Sequence, residues 1–204
     1  MITLYHAQYT RSLRIRWLLE ELGLEYELKR LNFQGKEHKG DEYLAVHPLG
    51  RLPAMVDGDV TMFESGAMIQ WLLEKYGEGR LHPLPATPQS AAYLQWFHYG
   101  EATHQSYLST IALHTALLPK EERIPEIAER AVEGAKDCNR MLDAHLGGQD
   151  YVAGNQFTAA DIMVTYPLIL SHLFGVLPSD DVPNLMKYYE RVSARPAFQA
   201  ATAD

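Results

Sequence analysis

Glu64 and Ser65 stand at the entrance to Ala67-Met68-Ile69-Gln70-Trp71-Leu72-Leu73. That run reads as a helix with Ser65 near its N-cap. A carboxylate and a hydroxyl are thus placed where backbone N–H groups lack partners, which suits the position to the polar end of a ligand. A little upstream, proline keeps Leu52 out of the α region, and the Leu52-Pro53 bond is a candidate for the cis form. The Leu52 N–H and C=O can then pair with an extended, peptide-like ligand, as a strand edge does. An ordinary hairpin followed by an ordinary cap would use the same residues, and this stretch alone leaves both readings open.

The elements that must position these groups can be read from pattern. Pro48 and Gly50 interrupt what precedes them, and the apolar runs 54–56 and 60–63 flank Asp57-Gly58, a strong hairpin signal. Upstream, residues 2–5 are a strand and 6–10 a loop. A helix from about 12 to 22 follows, with Leu13, Trp17, Leu18 and Leu22 at helical spacing and Glu20 and Glu21 expected to point outward. Residues 26–31 form a second strand, and a short polar helix is expected at 38–45. The order is β-α-β-α-β-β-α, with the first two strands joined through a helix and therefore parallel. Residues 78–88, rich in proline and glycine, read as a linker between a 1–77 domain and an 89–204 domain. Beyond it the pattern gives helices at 89–117, 120–146, 158–173 and 184–194. Thr158-Ala159-Ala160-Asp161 opens the third as a capping box with Asp for Glu, and Pro167 should kink it.

Composition narrows the function classes. The 204 residues suffice for one large domain or two small ones, and 47% apolar with 22% charged residues is a soluble globular balance. Lys plus Arg number 18 against 26 Asp plus Glu, a net charge of −8. With no basic run, this argues against nucleic acid and against an anionic membrane surface. The single cysteine, Cys138, allows no internal disulfide and no CxxC site, and points to the cytoplasm. Residues 1–6 enter patterned sequence directly, without the signature of a signal peptide. The long uncharged run from Ile162 contains Pro167, His172, Gly175 and Pro178, and so reads as a buried helix and its exit. His98, His104 and His114 form no i, i+4 pair, so no metal is expected.

Four pieces in register carry a resemblance: Pro48-x-Gly50-x-x-Pro53-Ala54, Glu64-Ser65-x-Ala67-Met68, Thr158-x-Ala160-Asp161-Ile162, and the opening Thr10-Arg11-Ser12-x-Arg14-Ile15-x-Trp17-Leu18-Leu19-Glu20-Glu21-Leu22. Together they resemble the cytosolic glutathione transferases, a thioredoxin-like α/β N-terminal domain followed by an all-α C-terminal domain. The Thr-Arg-Ser opening is similar to a bacterial and fungal subgroup. The resemblance implies that the Leu52 backbone pairs with the cysteinyl part of glutathione, with Pro53 as the cis-proline. It implies that Glu64 meets the γ-glutamyl ammonium and Ser65 the carboxylate. It also implies that His38 and Lys39, in a phi-like segment, reach the glycyl carboxylate, with Arg51 as a further contact. A solvated helix face is the alternative for His38 and Lys39.

Such an enzyme must hold a thiolate. A free thiol ionises near 8.5, and lowering that by two units takes about 2.7 kcal/mol of preference for the anion. A hydroxyl, a cation and a helix N-terminus all help, and Thr10, Arg11 and Ser12 bring all three together. Against the beta class, Arg11 takes the place of the catalytic cysteine, which excludes a covalent mixed disulfide there. Against the serine-using classes Thr10 is the nearest hydroxyl, with Ser12 two residues on; against the tyrosine-using classes Tyr5 aligns. The order of preference is Thr10 with Arg11, then Ser12, then Tyr5. Ser12 also fits a helix cap, and Tyr5 fits a packing residue of the strand.

For the second substrate, Tyr9, His104, Tyr107 and Ile111 can supply apolar walls with donors for a small hydrophobic electrophile. The aromatic run Tyr93, Trp96, Phe97, Tyr99 suits core or subunit interface, and the resemblance implies a homodimer. The reading is therefore a detoxification-type enzyme conjugating glutathione to electrophiles. Its alternatives are a glutathione-dependent peroxidase or disulfide reductase, and a non-catalytic transferase-like binding or regulatory protein.

Overall fold

Ile2, Leu4 and His6 alternate inward along β1 (Ile2–His6), while Thr3 and Tyr5 take the other face. A computed structural model describes residues 1–203. From β1 the chain crosses through α1 (Ser12–Leu22) to β2 (Tyr26–Arg30), which pairs parallel to β1 from Ile2↔Tyr26 to His6↔Arg30. A 3₁₀ turn at Glu37–Lys39 and the short α2 (Asp41–Leu44) lead to β3 (Ala54–Asp57), antiparallel to β1, and β4 (Val60–Phe63). Then α3 (Ser65–Tyr76) packs against α1. The sheet order is β2-β1-β3-β4. This is the expected β-α-β-α-β-β-α chain, with the mixed four-stranded sheet and helices of a thioredoxin-like domain.

The hairpin turn sits one residue later than the sequence suggests. Asp57 pairs with Val60 inside the ladder, so the two-residue loop is Gly58-Asp59, with Gly58 supplying φ +62° at the first central position. Asp57 stays in the strand because its carboxylate is buried and accepts from Trp71 Nε1 at 2.9 Å, Lys75 Nζ at 2.8 Å and Tyr76 Oη at 2.7 Å, all on α3.

The second unit, Leu81–Ser193, is helical. α4 (Pro88–Tyr99) begins at a Thr87–Ser90 capping box and continues through a π-helical turn, Gly100–His104, into α5 (Gln105–Ala112) and a second such turn, Leu113–Leu117. The expected 89–117 helix is therefore one helical course with two widened turns. α6 (Pro125–Leu146) starts later than expected because Pro119 and a 3₁₀ turn precede it. α7 (Ala159–Leu173) is capped by Thr158 and runs through Pro167; α8 is Pro183–Ser193. Asp161, fully buried, accepts from Thr158 N at 2.8 Å, Val152 N at 3.0 Å and Tyr188 Oη at 3.0 Å, so the capping box also ties α7 to α8. Among the described residues no helix is long and apolar enough to cross a membrane.

The last helix, α9 (Pro196–Thr202), departs from the expected domain plan, because residues from Ala194 group with Met1–Arg80. Phe198 meets Trp17 edge-on at 4.9 Å between ring centroids, and Arg16 Nη2 donates to the Ala200 and Ala203 carbonyls at 3.1 and 2.7 Å. Arg195 clamps Glu21 with two bonds of 2.6 Å, and Trp17 Nε1 adds a third at 2.9 Å. Glu21 is thus not the outward residue its helical phase suggested; its side chain is only 8% exposed.

Candidate functional site

The loop between β1 and α1 folds back on itself through hydroxyls. Thr10 Oγ1 donates to the Ala7 carbonyl at 2.7 Å and lies 2.6 Å from Ser12 Oγ, which lies 2.8 Å from His6 Nδ1. The Ala7 N–H also reaches Ser12 Oγ, at 3.4 Å. Ser12 is fully buried, His6 is nearly so, and Thr10 is partly exposed at the outer end. Arg11 is the N-cap of α1 with no side-chain cap, so the cap reading for Ser12 does not hold: its hydroxyl faces back to the loop. Tyr5 lies on the opposite face of β1, its ring 5.3 Å from that of Tyr43 with Lys29 Nζ 5.3 Å from its centroid.

Ala7 links this loop to the next part of the site. Its methyl packs with Leu52, Ala54 and Tyr43, flanked by Tyr5. The Leu52-Pro53 bond is cis, as expected. Tyr43 Oη holds the Arg51 carbonyl at 2.6 Å, and the Arg51 side chain is exposed. Gly50 (φ +54°) lies so close to the 37–39 turn that a Cβ there would be 2.3 Å from the His38 carbonyl oxygen. Lys39 Nζ donates to the Leu49 carbonyl at 2.8 Å. His38 is buried beneath Phe33, stacked at 4.2 Å, with no partner for Nδ1. Burial, then the charges of Lys39 and Lys36, lower its pKa, so it is a neutral ring at pH 7.

At the start of α3, Glu64 is exposed at φ +74° and Ser65 is buried, accepting from Arg14 Nη1 at 3.1 Å. Tyr9, Lys36 and Glu64 are all non-glycine residues at positive φ, each inside or beside an expected contact. Such backbone costs on the order of 1–3 kcal/mol per residue and concentrates at binding sites. Three further instances, Glu78, Leu81 and Ala86, fall in the 78–86 segment.

The expected electrophile residues differ in exposure. Tyr9 is 60% exposed on its loop, and Tyr107 is 37% exposed on α5. His104 and Ile111 are buried within the helical unit, at 0% and 3% exposure. Among the described residues neither ring nitrogen of His104 has a hydrogen-bond partner. A cavity of about 310 Å³ lies in the helical unit, but its Arg191 is held by Asp150 and none of the expected site residues lines it. Among the described residues no group of His, Cys, Asp and Glu could hold a metal ion.

Two contributors went unread in the sequence. His6 falls on the inward phase of β1 with Ile2 and Leu4, and that alternation was its available signal. Arg14 is fully buried, on the helix face shared with Trp17 and Leu18; an arginine on an apolar stripe was the sign.

Residues 1–74 match the family model described as glutathione S-transferase, N-terminal domain, and residues 106–196 the corresponding C-terminal domain. Glutathione S-transferase 3 of Schizosaccharomyces pombe is 31% identical over 214 residues, spanning 98% of this chain and 86% of that protein. Glutathione S-transferase 3 of Zea mays is 29% identical over 194 residues, with 93% and 87% covered. The glutathione transferase URE2P6 from Phanerochaete chrysosporium, solved in complex with oxidized glutathione, superposes with a TM-score of 0.86 at 30% identity, covering 98% and 94% of the two chains. A family member from Pseudomonas fluorescens with two glutathione bound gives 0.85 at 26% identity, covering 98% and 92%.

Proposed function

The chain belongs to the glutathione S-transferase family and is an enzyme of that kind, and from this premise we propose that it holds glutathione on its α/β domain as a thiolate and transfers it to small hydrophobic electrophiles. The observation that carries the reading is the join at Ala7: its carbonyl holds the Thr10 hydroxyl while its side chain packs on Leu52 beside the cis bond. A tripeptide paired with the Leu52 backbone brings its cysteinyl sulfur toward Thr10. Thr10 then turns its hydrogen from the Ala7 carbonyl to the sulfur, and Arg11 and the first amides of α1 add positive potential. The thiolate attacks the electrophilic carbon and a halide leaves, or an activated double bond takes up the sulfur and a proton.

The ends of the ligand find complementary groups. Exposed Glu64 meets the ammonium, and Ser65 meets the γ-glutamyl carboxylate with the Arg14 guanidinium behind it. Lys39 supplies charge for the glycyl carboxylate and neutral His38 a hydrogen-bonding ring; Arg51 adds an exposed cation. Of the three thiol candidates Thr10 is favoured: Ser12 is fully enclosed, and Tyr5 is packed against Tyr43. Tyr9, exposed on the loop before α1, remains as an accessible aromatic group for the electrophile.

Exchange of Thr10→Ala together with Ser12→Ala should reduce conjugation to an aryl halide at least about tenfold, the ordinary yield of removing a positioned proton donor. Steady-state rates unchanged within error would remove the hydroxyls from the chemistry. Disulfide reduction is a second reading, favoured by the relative solved with oxidized glutathione. It would run through the bound thiolate attacking a mixed disulfide, releasing oxidized glutathione and the partner thiol, because Cys138 is buried in the helical unit. A homodimer completes the proposal, drawing on exposed Leu94, Leu113, Leu117 and Met141 of the helical unit; so does a cytoplasmic location, where reduced glutathione prevails.

A further inference from the structure

The hydroxyl pair has a direction, and that direction depends on a residue that does not touch the sulfur. A hydroxyl has one hydrogen to give and two lone pairs to receive with. Thr10 Oγ1 lies 2.7 Å from the Ala7 carbonyl oxygen, and two oxygens that close must share a hydrogen, which Thr10 alone can supply. With its hydrogen committed, Thr10 must receive across the 2.6 Å contact, so Ser12 is the donor there. Ser12 in turn has no hydrogen left for the 2.8 Å contact with His6, so Nδ1 must carry one. In the empty site the reverse order, Thr10 to Ser12 to an unprotonated Nδ1, leaves the Thr10 and Ala7 oxygens facing each other at 2.7 Å with no hydrogen between them and nothing to compensate, whereas a charge-assisted bond to a thiolate offsets that loss when the ligand is bound.

We propose that His6 is a positioning residue for thiol activation: its Nδ1–H fixes Ser12 as donor to Thr10, so that the Thr10 hydrogen always points outward, to the Ala7 carbonyl when the site is empty and to the sulfur when glutathione is bound. The inference rests on the functional reading above, in which Thr10 meets the sulfur. His6 is 4% exposed and Ser12 0%, so water cannot take over the role of either. Without the Nδ1–H, the Ser12 hydrogen is free to swing to the Ala7 carbonyl 3.4 Å away, and Thr10 loses the donor that polarises it. Arg11 is charged throughout the assay range and present in every variant, so its contribution cancels between them.

Two substitutions at one position test this. His6→Asn places an amide N–H near the position of Nδ1–H; His6→Leu keeps bulk and removes the donor. The readouts are the pH dependence of the bound glutathione thiolate, followed by its ultraviolet absorbance, and the separate kcat and KM for glutathione. In His6→Leu the thiol titration should move upward by about half a unit or more, with kcat at pH 6.5 falling at least about threefold and KM unchanged. His6→Asn should return both values most of the way to the parent. An unshifted titration in His6→Leu overturns the proposal, as does His6→Asn behaving like His6→Leu. If His6→Leu does not fold, His6→Asn against His6→Asp decides, since aspartate offers Ser12 only acceptors and should behave as the donor-less variant. A parent enzyme that shows no bound thiolate, or a Thr10→Val variant that keeps it, would instead remove the functional reading, and the two failures are distinct.

Discussion

At the scale of single residues, the helical unit encloses an imidazole whose ring nitrogens have no hydrogen-bond partner among the described residues. His104 is fully buried with both ring nitrogens unpartnered, and burial lowers its pKa to about 3. In the unfolded chain the same ring protonates near 6.5. As pH falls, the unfolded state therefore takes up the proton first, and the fold loses stability from about pH 6.5 toward pH 3, by up to about 1.4 kcal/mol per unit. His104→Leu removes the titration and two unsatisfied polar atoms together. Urea unfolding should show unchanged or higher stability at pH 7, and a loss between pH 7 and pH 5 smaller than in the parent by roughly 2 kcal/mol. An identical loss in both proteins would assign the acid sensitivity elsewhere. Cys138 is the contrasting case: burial raises its thiol pKa, in keeping with an inert side chain.

At the scale of elements, one carboxylate fastens the hairpin to the helix behind it. Burial alone would raise the Asp57 pKa, but Lys75, Trp71 and Tyr76 together hold it below the usual carboxylate range. Asp57→Ala leaves those three donors without their acceptor and should cost about 3 kcal/mol, read as a drop in denaturant midpoint. A change under about 0.5 kcal/mol would mean that the strand is held by its ladder alone. The hairpin was legible because alternation and Asp-Gly are local signals; the one-residue offset of its turn was not, because the cause lies on α3. The same division runs through the site. The cis bond and the α7 capping box follow from neighbours in sequence. The Arg14–Ser65 bond spans 51 positions, and the His6–Ser12 contact bridges two elements. Side chains that meet only through the fold leave little trace in periodicity.

At the scale of the whole molecule, α9 was unreadable as part of the α/β unit because its partners lie more than 170 positions away. Removing residues 194–204 from the full chain should uncover Trp17 and take the Arg195 clamp from Glu21. Hydrogen exchange should then quicken in β1 and α1 while α6 and α7 keep their protection. Equal quickening in both units, or none, would contradict this division. The closing of Trp17 beneath Phe198 also sets an order of events during synthesis. The first eighty residues leave the ribosome without the helix that completes them, and the helical unit, Leu81–Ser193, must be translated before that helix arrives. At bacterial-to-eukaryotic elongation rates the nascent α/β unit waits on the order of ten seconds with an indole-bearing flank uncovered, an interval in which a chaperone has its natural opportunity to bind.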